Sequence, residues 1–192
     1  MPDKKFLFIP LLTLILSSSF HAQETTGFDK TFTLQNITFH ISCPNNASLN
    51  RLTIQTKGLK HNEVVTKEID GTVSGAGVAD LNEDAAPEVY VFTTAAGSGS
   101  YGSVVAFSSN QNKSLSEIYF PEDTPQNNTF KGYMGHDTFS LGKNRLLRDF
   151  PLYKKSDSNA HPSGGVRELE YKLVPGEATW LLKLVKSTDT KQ

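Results

Sequence analysis

Short alternations of apolar and polar residues run through most of this chain, and they constrain its fold more than any other feature. In the run from Thr31 to Ile41, broken near Asn36, apolar side chains occupy every second position. A period of two is typical of strands that bury one face, whereas an amphipathic helix needs a period near 3.6. Further strands are predicted at residues 52–56, 63–69, 88–94, 103–107, 116–120, 138–141, 145–149, 167–174 and 179–185.

Clusters of turn-forming residues separate these runs. Asp70-Gly71, Ser74-Gly75 and Pro175-Gly176 are examples, and they favour tight turns because glycine permits positive φ and proline presets φ. No segment long enough for three helical turns shows the apolar stripe of a helix. We therefore predict an all-β protein, an antiparallel β-sandwich of about eight to ten strands with little helix.

The first 22 residues resemble a secretory signal peptide. A positively charged start precedes an apolar stretch at residues 6–16 and a segment of small residues, which is the order of a cleaved signal. At ~1.5 Å per residue, the apolar stretch covers only about half of a ~30 Å hydrocarbon core. We therefore expect residues 1–22 to be a signal peptide, cleaved after Ala22 or Ser19, and residues 23–192 to form one domain without a membrane anchor.

The net charge argues against one class of partner. The 19 Lys and Arg residues nearly balance the 20 Asp and Glu residues, which gives a formal charge of -1 at pH 7. A chain without a basic excess has little with which to neutralise phosphates, so we do not expect a nucleic-acid partner. The one cysteine, Cys43, permits no intramolecular disulfide. It is either a buried thiol or a residue that pairs between chains.

A glycine-rich segment follows the strand predicted at residues 88–94. Gly97, Gly99 and Gly102 have the spacing of the dinucleotide-binding fingerprint and of the kinase glycine-rich loop. The first interpretation fails because a strand-like run follows instead of a helix, and the second because the chain lacks an Asp-Phe-Gly metal site. Two alternatives remain. Tyr101 either sits in an exposed loop that enters a partner's pocket, or packs on the sheet of an ordinary hairpin.

The four residues at the centre of this segment match a family motif. Ser98-Gly99-Ser100-Tyr101 resembles the Ser-Gly-x-Tyr motif of the periplasmic inhibitors of i-type (invertebrate) lysozyme. The resemblance extends over most of the chain after the signal peptide. The blocks that carry it are residues 77–84, 87–91, 102–106, 153–171, 176–178 and Trp180.

This resemblance implies a periplasmic β-sandwich without catalytic residues or cofactor. It also implies a homodimer that inserts loops into the active-site cleft of i-type lysozyme and so protects the bacterial cell wall. The lysozyme-binding residues carried over to this chain are Ser98, Gly99, Ser100 and Tyr101. We add Arg167, which follows a glycine pair and is either a contact from a second loop or a surface strand residue.

An acidic segment offers a different kind of site. Asp80, Asn82, Asp84 and Glu88 are spaced similarly to calcium loops, in which oxygens at alternate positions surround a hard cation. Ala85 replaces the usual glycine, and no bidentate Glu stands at position twelve. The competing interpretation, which we favour, is a turn whose side chains accept hydrogen bonds from backbone N–H groups. From the sequence we assign no metal ligand. A calcium-assisted carbohydrate- or surface-binding β module remains the alternative function, and we do not expect an enzyme because no nucleophile–base pair stands out.

Overall fold

The computed structural model describes residues 27–121 and 128–191, so the predicted signal peptide lies outside the described residues. Within them the chain forms twelve strands and a short 3-10 helix at Asn128–Phe130, and no helix there is long and apolar enough to cross a membrane. The strands are β1 (Phe28–Leu34), β2 (Ile37–Cys43), β3 (Leu49–Lys57), β4 (Val64–Asp70), β5 (Thr72–Ala79), β6 (Glu88–Thr94), β7 (Gly102–Ser108), β8 (Ser116–Ile118), β9 (Thr138–Gly142), β10 (Arg145–Pro151), β11 (Val166–Pro175) and β12 (Trp180–Thr190). They form three antiparallel sheets of four strands each.

The first sheet has the order β1-β2-β3-β4. β2 buries every second residue, as the alternation predicts, and Ile37, Phe39 and Ile41 are at most 3% exposed. The break near Asn36 is a two-residue hairpin turn, in which Gln35 and Asn36 have φ values of 49° and 66°. Two successive residues with positive φ match the right-handed twist of the flanking strands.

The second sheet, with the order β5-β6-β7-β8, lies between the other two. All residues of β6 except the last are buried. Val89 and Val91 pack into a core shared with the first sheet, whereas Tyr90 and Phe92 pack into a core shared with the third. A strand that is covered on both faces needs a nearly continuous apolar run. This explains why the sequence of β6 does not alternate.

The third sheet has the order β12-β11-β10-β9 and is joined to the second sheet at one edge. The N–H of Tyr119, which follows β8, donates to the carbonyl of Trp180 at 2.8 Å. The N–H of Leu182 donates back to the carbonyl of Tyr119 at 2.9 Å. The result is three stacked layers, of which the second and third are also linked through their backbones.

The all-β sandwich prediction is confirmed, although the described residues contain twelve strands where we expect about eight to ten from sequence. β5 is absent from the predicted strands because Ser74-Gly75 has the composition of a turn. In the structure this pair lies at a bulge, where the register with β6 shifts between Val73 and Gly75. Gly77 in the same strand permits close packing of the third sheet, since a Cβ there would lie 2.8 Å from Leu141 Cδ1.

Cys43 lies at the end of β2 and belongs to the core between the first and second sheets. It is 3% exposed and free, which agrees with the buried-thiol alternative. Since the sequence contains one cysteine, the layers are held together by their two apolar cores and not by an internal disulfide.

The core between the first and second sheets predicts the effect of truncating a buried residue of the first sheet. Ile41→Ala removes a side chain that is 0% exposed, so we expect the free energy of unfolding to fall by about 2–5 kcal/mol in urea denaturation. Val64→Ala is the control, because Val64 is 67% exposed and its truncation should change stability by only ~0.5 kcal/mol. Equal losses for the two variants would contradict the proposed layer packing.

Candidate functional site

Three loops meet at one end of the second and third sheets, and we refer to them as the loop cluster. The first connects β6 to β7 and contains residues 98–101, the Ser-Gly-Ser-Tyr loop. The second is the segment 131–137 before β9, and the third is the segment 152–165 between β10 and β11. Side-chain contacts within the cluster join residues as far as 61 positions apart in the sequence.

The Ser-Gly-Ser-Tyr loop is closed by hydrogen bonds of its own backbone. The N–H of Ala95 donates to the carbonyl of Tyr101 at 2.8 Å. The N–H of Ser100 donates to the carbonyl of Gly97 at 3.2 Å. Gly97 has a φ of 142°, which glycine adopts far more readily than other residues. The turn leaves the side chain of Ser98 exposed to solvent.

Tyr101 is 51% exposed, and the remainder of its ring is supported by the protein. The ring covers Gly99, where an added Cβ would lie only 2.4 Å from it. The ring also meets Tyr133 edge-on, with centroids 5.6 Å apart. Tyr101 is therefore held in one position while about half of its surface faces solvent, which combines features of both sequence alternatives.

The segment 131–137 packs directly on the backbone of the Ser-Gly-Ser-Tyr loop. The N–H of His136 is shared between the carbonyls of Gly99, at 2.8 Å, and Ser100, at 3.2 Å. Gly135 has a φ of 89°, and a Cβ there would lie 1.9 Å from the carbonyl oxygen of Gly99. Only glycine permits this approach, so the segment fixes the position of the loop backbone.

Asn159 connects the third loop to the other two. Its Nδ2 donates to the carbonyl of Ser98, and its Oδ1 accepts from Nε2 of His136 at 3.2 Å. Its own carbonyl accepts from the hydroxyl of Tyr153 at 2.9 Å. Asn159 and Tyr153 both belong to the segment 153–171, one of the blocks on which the expected family resemblance is based. The fold places Asn159 against the Ser-Gly-Ser-Tyr loop.

A buried ion pair lies beneath the loop cluster. Arg148 of β10 donates from Nε to Oδ1 of Asp137 at 2.7 Å, and both side chains are 0% exposed. The other oxygen of Asp137 accepts from the hydroxyl of Tyr133 at 2.6 Å and from the N–H of Gly102 at 2.7 Å. One carboxylate thereby connects β10, the second loop of the cluster and the first residue of β7.

Aromatic rings surround the guanidinium of Arg148. Its Cζ lies 5.1–5.6 Å from the ring centroids of Phe130, Tyr133, Phe139 and Phe150. Cation–π attraction strengthens when water is excluded. The same exclusion makes a buried charge costly when its partner is removed, so the pair must stay intact for the base of the loop cluster to keep its shape.

The sequence by itself does not single out this pair, although β10 contains one sign of it. In β10 the buried residues are Leu146, Arg148 and Phe150, which alternate with more exposed ones. An arginine at an inward position of an alternating strand requires a buried acceptor. Asp137 could not be chosen as that acceptor from sequence, because it precedes the neighbouring strand and its side-chain position depends on the loop.

Arg167, the additional residue expected to contact lysozyme, lies on β11, and its guanidinium is hydrogen-bonded within the protein. Nε and Nη2 donate to the two carboxylate oxygens of Asp189 at 2.6 and 2.7 Å, and this pairing raises the pKa of Arg167. Nη1 donates to the carbonyl of Thr129 at 2.6 Å. These contacts tie Arg167 to β12 and the 3-10 helix, and a role in lysozyme binding stays a prediction.

The acidic segment forms the loop between β5 and β6, at the opposite end of β6 from the loop cluster. Asp80 accepts from the N–H groups of Asp84 and Ala85, both at 3.0 Å. Asp84 accepts from the N–H of Ala86 at 2.9 Å. Side-chain oxygens that accept from nearby backbone N–H groups are what the turn interpretation of this segment predicts. The carboxylates of Asp80, Asp84 and Glu88 nevertheless converge, with one oxygen from each within 4.8 Å of the others.

Glu88 is the buried member of this group, at 0% exposure. Its Oε2 accepts from the N–H of Leu81 at 2.9 Å and from the hydroxyl of Tyr90 at 3.4 Å. The pKa of Glu88 is raised to about 8, chiefly by burial. The hydrogen bond from Leu81 opposes this rise, and the negative charges of Asp80 and Asp84 add to it.

The ion pair predicts a large cost for removing its carboxylate. Asp137→Ala deprives Arg148 of its buried counter-charge, so we expect the free energy of unfolding to fall by about 3–5 kcal/mol in chemical denaturation. Asp149→Asn is the control on the same hairpin, since burial and the neighbouring Glu168 already raise the pKa of Asp149. Its effect should stay within ~0.5 kcal/mol. A loss for Asp137→Ala no larger than that of the control would be evidence against the role of the pair.

Comparison with known sequences identifies a family over part of the chain. The sequence model of the family described as periplasmic lysozyme inhibitor of I-type lysozyme matches residues 54–130, which is less than half of the chain. The matched segment contains the whole second sheet, the acidic loop and the Ser-Gly-Ser-Tyr loop. No curated protein and no solved structure matches the chain. Over residues 54–130 the chain is therefore a match to the family of periplasmic lysozyme inhibitors of I-type lysozyme, as the motifs in its sequence predict.

Proposed function

We propose that this protein inhibits i-type lysozyme in the periplasm by inserting its Ser-Gly-Ser-Tyr loop into the active-site cleft of the enzyme. One observation carries the proposal. The segment that matches the inhibitor family contains this loop, and the loop presents Ser98 and half of Tyr101 to solvent. The protein contributes binding and no catalytic step of its own.

The chemistry of a lysozyme cleft suits such a loop. Two carboxyl groups flank the glycosidic bond that the enzyme cleaves. The hydroxyl of Ser98 can donate to one of them, and a well-made hydrogen bond to a charged group contributes about 1.5–3 kcal/mol. Tyr101 supplies a large ring with few rotatable bonds, which is the kind of side chain that anchors protein interfaces. Because the loop presents no glycosidic bond, the enzyme has nothing to cleave.

The internal contacts of the loop cluster reduce the entropic cost of binding. Gly99 and Ser100 are held by the N–H of His136, and Ser98 is held by the side chain of Asn159. Tyr101 is supported by the ring of Tyr133. A loop that is already ordered loses little conformational freedom when it enters a cleft, so more of its interaction energy appears as affinity.

We also propose how the protein reaches lysozyme, how it assembles and which further residue contacts the enzyme. The signal peptide at residues 1–22 would deliver the protein to the periplasm, where lysozyme reaches the cell wall. The family resemblance implies a homodimer. Arg167 is the candidate for an additional contact, although its pairing with Asp189 also supports a purely structural role.

The proposal is tested by measuring lysis of bacterial cell walls by c-, g- and i-type lysozymes in the presence of the purified protein. We expect inhibition of the i-type enzyme to be the strongest. Absence of inhibition of all three types would refute the proposal and would favour the alternative of a binding module for carbohydrates or surfaces.

Tyr101→Ala is expected to weaken inhibition of i-type lysozyme without unfolding the protein. Truncation of an anchoring tyrosine costs about 2–4 kcal/mol of binding, which corresponds to roughly a 30- to 1000-fold rise in the inhibition constant. Ser98→Ala should have the same direction and a smaller effect. The inhibition constant is read from initial rates of lysis at several inhibitor concentrations, and circular dichroism checks the fold.

Tyr119→Ala provides the matched control. Tyr119 is 55% exposed, close to the 51% of Tyr101, but it follows β8 and lies outside the loop cluster. Its truncation should leave the inhibition constant within about threefold of the unmodified protein, the scatter of a surface substitution. Equal losses at Tyr101 and Tyr119, or full inhibition by the Tyr101→Ala, Ser98→Ala double variant, would exclude the Ser-Gly-Ser-Tyr loop as the inhibitory element.

A further inference from the structure

The loop between β5 and β6 concentrates negative charge around a buried carboxylate. Asp80 and Asp84 each place a carboxylate oxygen within 4.8 Å of one from Glu88. Glu88 is 0% exposed, and the charges that act on it are the negative ones of Asp80 and Asp84. Carboxylates at such separations repel one another, and water cannot screen the buried member effectively.

A second observation concerns the hydrogen bonding of Glu88. Its Oε2 accepts two hydrogen bonds, whereas its Oε1 is buried and has no hydrogen-bond partner among the described residues. Buried polar atoms in folded proteins almost always have a partner, because desolvation without one is costly. An unpartnered carboxylate oxygen that belongs to a group of three converging carboxylates indicates a positively charged ligand.

We propose that Asp80, Asp84 and Glu88 bind one calcium ion, with Asn82 and solvent supplying further oxygen ligands. In the segment that begins at Asp80, Asn82 stands at position three, Asp84 at position five and Glu88 at position nine. Alternate positions at the start of a loop are those that wrap oxygens around a cation. The turn bonds to Asp80 and Asp84 are compatible with this, since each carboxylate can accept at several lone pairs.

The ligand set selects calcium among the common cations. Every ligand is an oxygen, which favours a hard cation over zinc, since zinc sites are usually built from nitrogen and sulfur ligands. Calcium binds oxygens at about 2.3–2.6 Å, so two ligands on opposite sides of the ion lie up to roughly 5 Å apart. The 4.8 Å limit on the separations observed here falls within that span. Magnesium demands shorter bonds and stricter octahedral geometry.

A bound ion would fix the β5–β6 loop against its neighbours. Gln35, in the β1–β2 turn, already donates to Asp80 Oδ2 at 2.8 Å. Asn112, between β7 and β8, donates to the carbonyl of Ala85 at 3.2 Å. The length of β6, about 20 Å at ~3.3 Å per residue, separates this site from the loop cluster. The calcium site is therefore independent of the proposed inhibition, and either proposal can fail without the other.

The test uses the purified protein, residues 23–192 if the expected signal peptide is cleaved, after removal of metal with EGTA. Titration calorimetry with CaCl₂ alone should give one ion per chain, with a dissociation constant in the range of about 10⁻⁵–10⁻³ M. At roughly 100 times that constant, the melting temperature should rise by about 5–10 °C. MgCl₂ at the same concentrations should produce a clearly smaller rise.

Two variants test the ligands, and a third is the control. Glu88→Gln and Asp84→Asn keep the shape of each side chain but remove its charge, so both should weaken calcium binding at least tenfold. Glu88→Gln should be no less stable than the unmodified protein in EGTA, because burial and the nearby Asp80 and Asp84 already disfavour a charge at this position. Glu83→Gln is the control. Glu83 lies in the same loop, but its carboxylate accepts a hydrogen bond from Asn144 at 2.7 Å and is not one of the proposed ligands. This variant should bind calcium as tightly as the unmodified protein.

Several results would overturn the proposal. The first is an unchanged melting temperature with no heat of binding up to about 10 mM CaCl₂, a concentration tenfold above the dissociation constants of the weakest extracellular calcium modules. The second is a calcium response in both ligand variants that equals that of the unmodified protein. The third is a response to magnesium as large as the response to calcium. Retention of lysozyme inhibition in EGTA is expected, and it separates this test from that of the proposed function.

Discussion

The burial of β6 on both of its faces is the constraint on which the architecture depends. Val89 and Val91 fill the core toward the first sheet, while Tyr90 and Phe92 fill the core toward the third. Because β6 is buried along its length, this part of the chain is accessible to solvent only in the loops that precede and follow the strand. The acidic loop precedes β6 and the Ser-Gly-Ser-Tyr loop follows it, so the middle layer sets the separation of the two candidate sites.

The buried pair of Arg148 and Asp137 is better understood as a positioning device than as a source of stability. Buried ion pairs often contribute no more than well-packed apolar residues would, because both charges lose their hydration. The carboxylate of Asp137 does what an apolar side chain cannot. It bonds the guanidinium, the hydroxyl of Tyr133 and the N–H of Gly102 at once, and so connects the strand that leaves the Ser-Gly-Ser-Tyr loop to the loop beside it.

In the proposed inhibition, recognition depends on the local chemistry of the Ser-Gly-Ser-Tyr loop more than on the net charge of the protein. With a formal net charge of -1, long-range steering contributes little to association with a target. The surface that the structure offers instead is a small ordered tip, with a serine side chain in solvent and a tyrosine held at half exposure. Hydrogen bonds from His136 and Asn159 hold the backbone of that tip without a disulfide, and such ordering would favour the proposed binding in a cleft.

Local patterns determined much of this structure from the sequence alone. The alternation in β2, the break near Asn36, the strand β6 and the Ser-Gly-Ser-Tyr motif all depend on residues close in sequence, where side-chain periodicity and backbone preferences act directly. The tertiary structure alone decided that Ser74-Gly75 is a bulge within β5. It also paired Arg148 with Asp137, brought Asn159 to Ser98 and left Glu88 buried beside Asp80 and Asp84. The bulge depends on pairing with β6 and the other contacts on the packing of separate strands and loops, so no local pattern in the sequence specifies them.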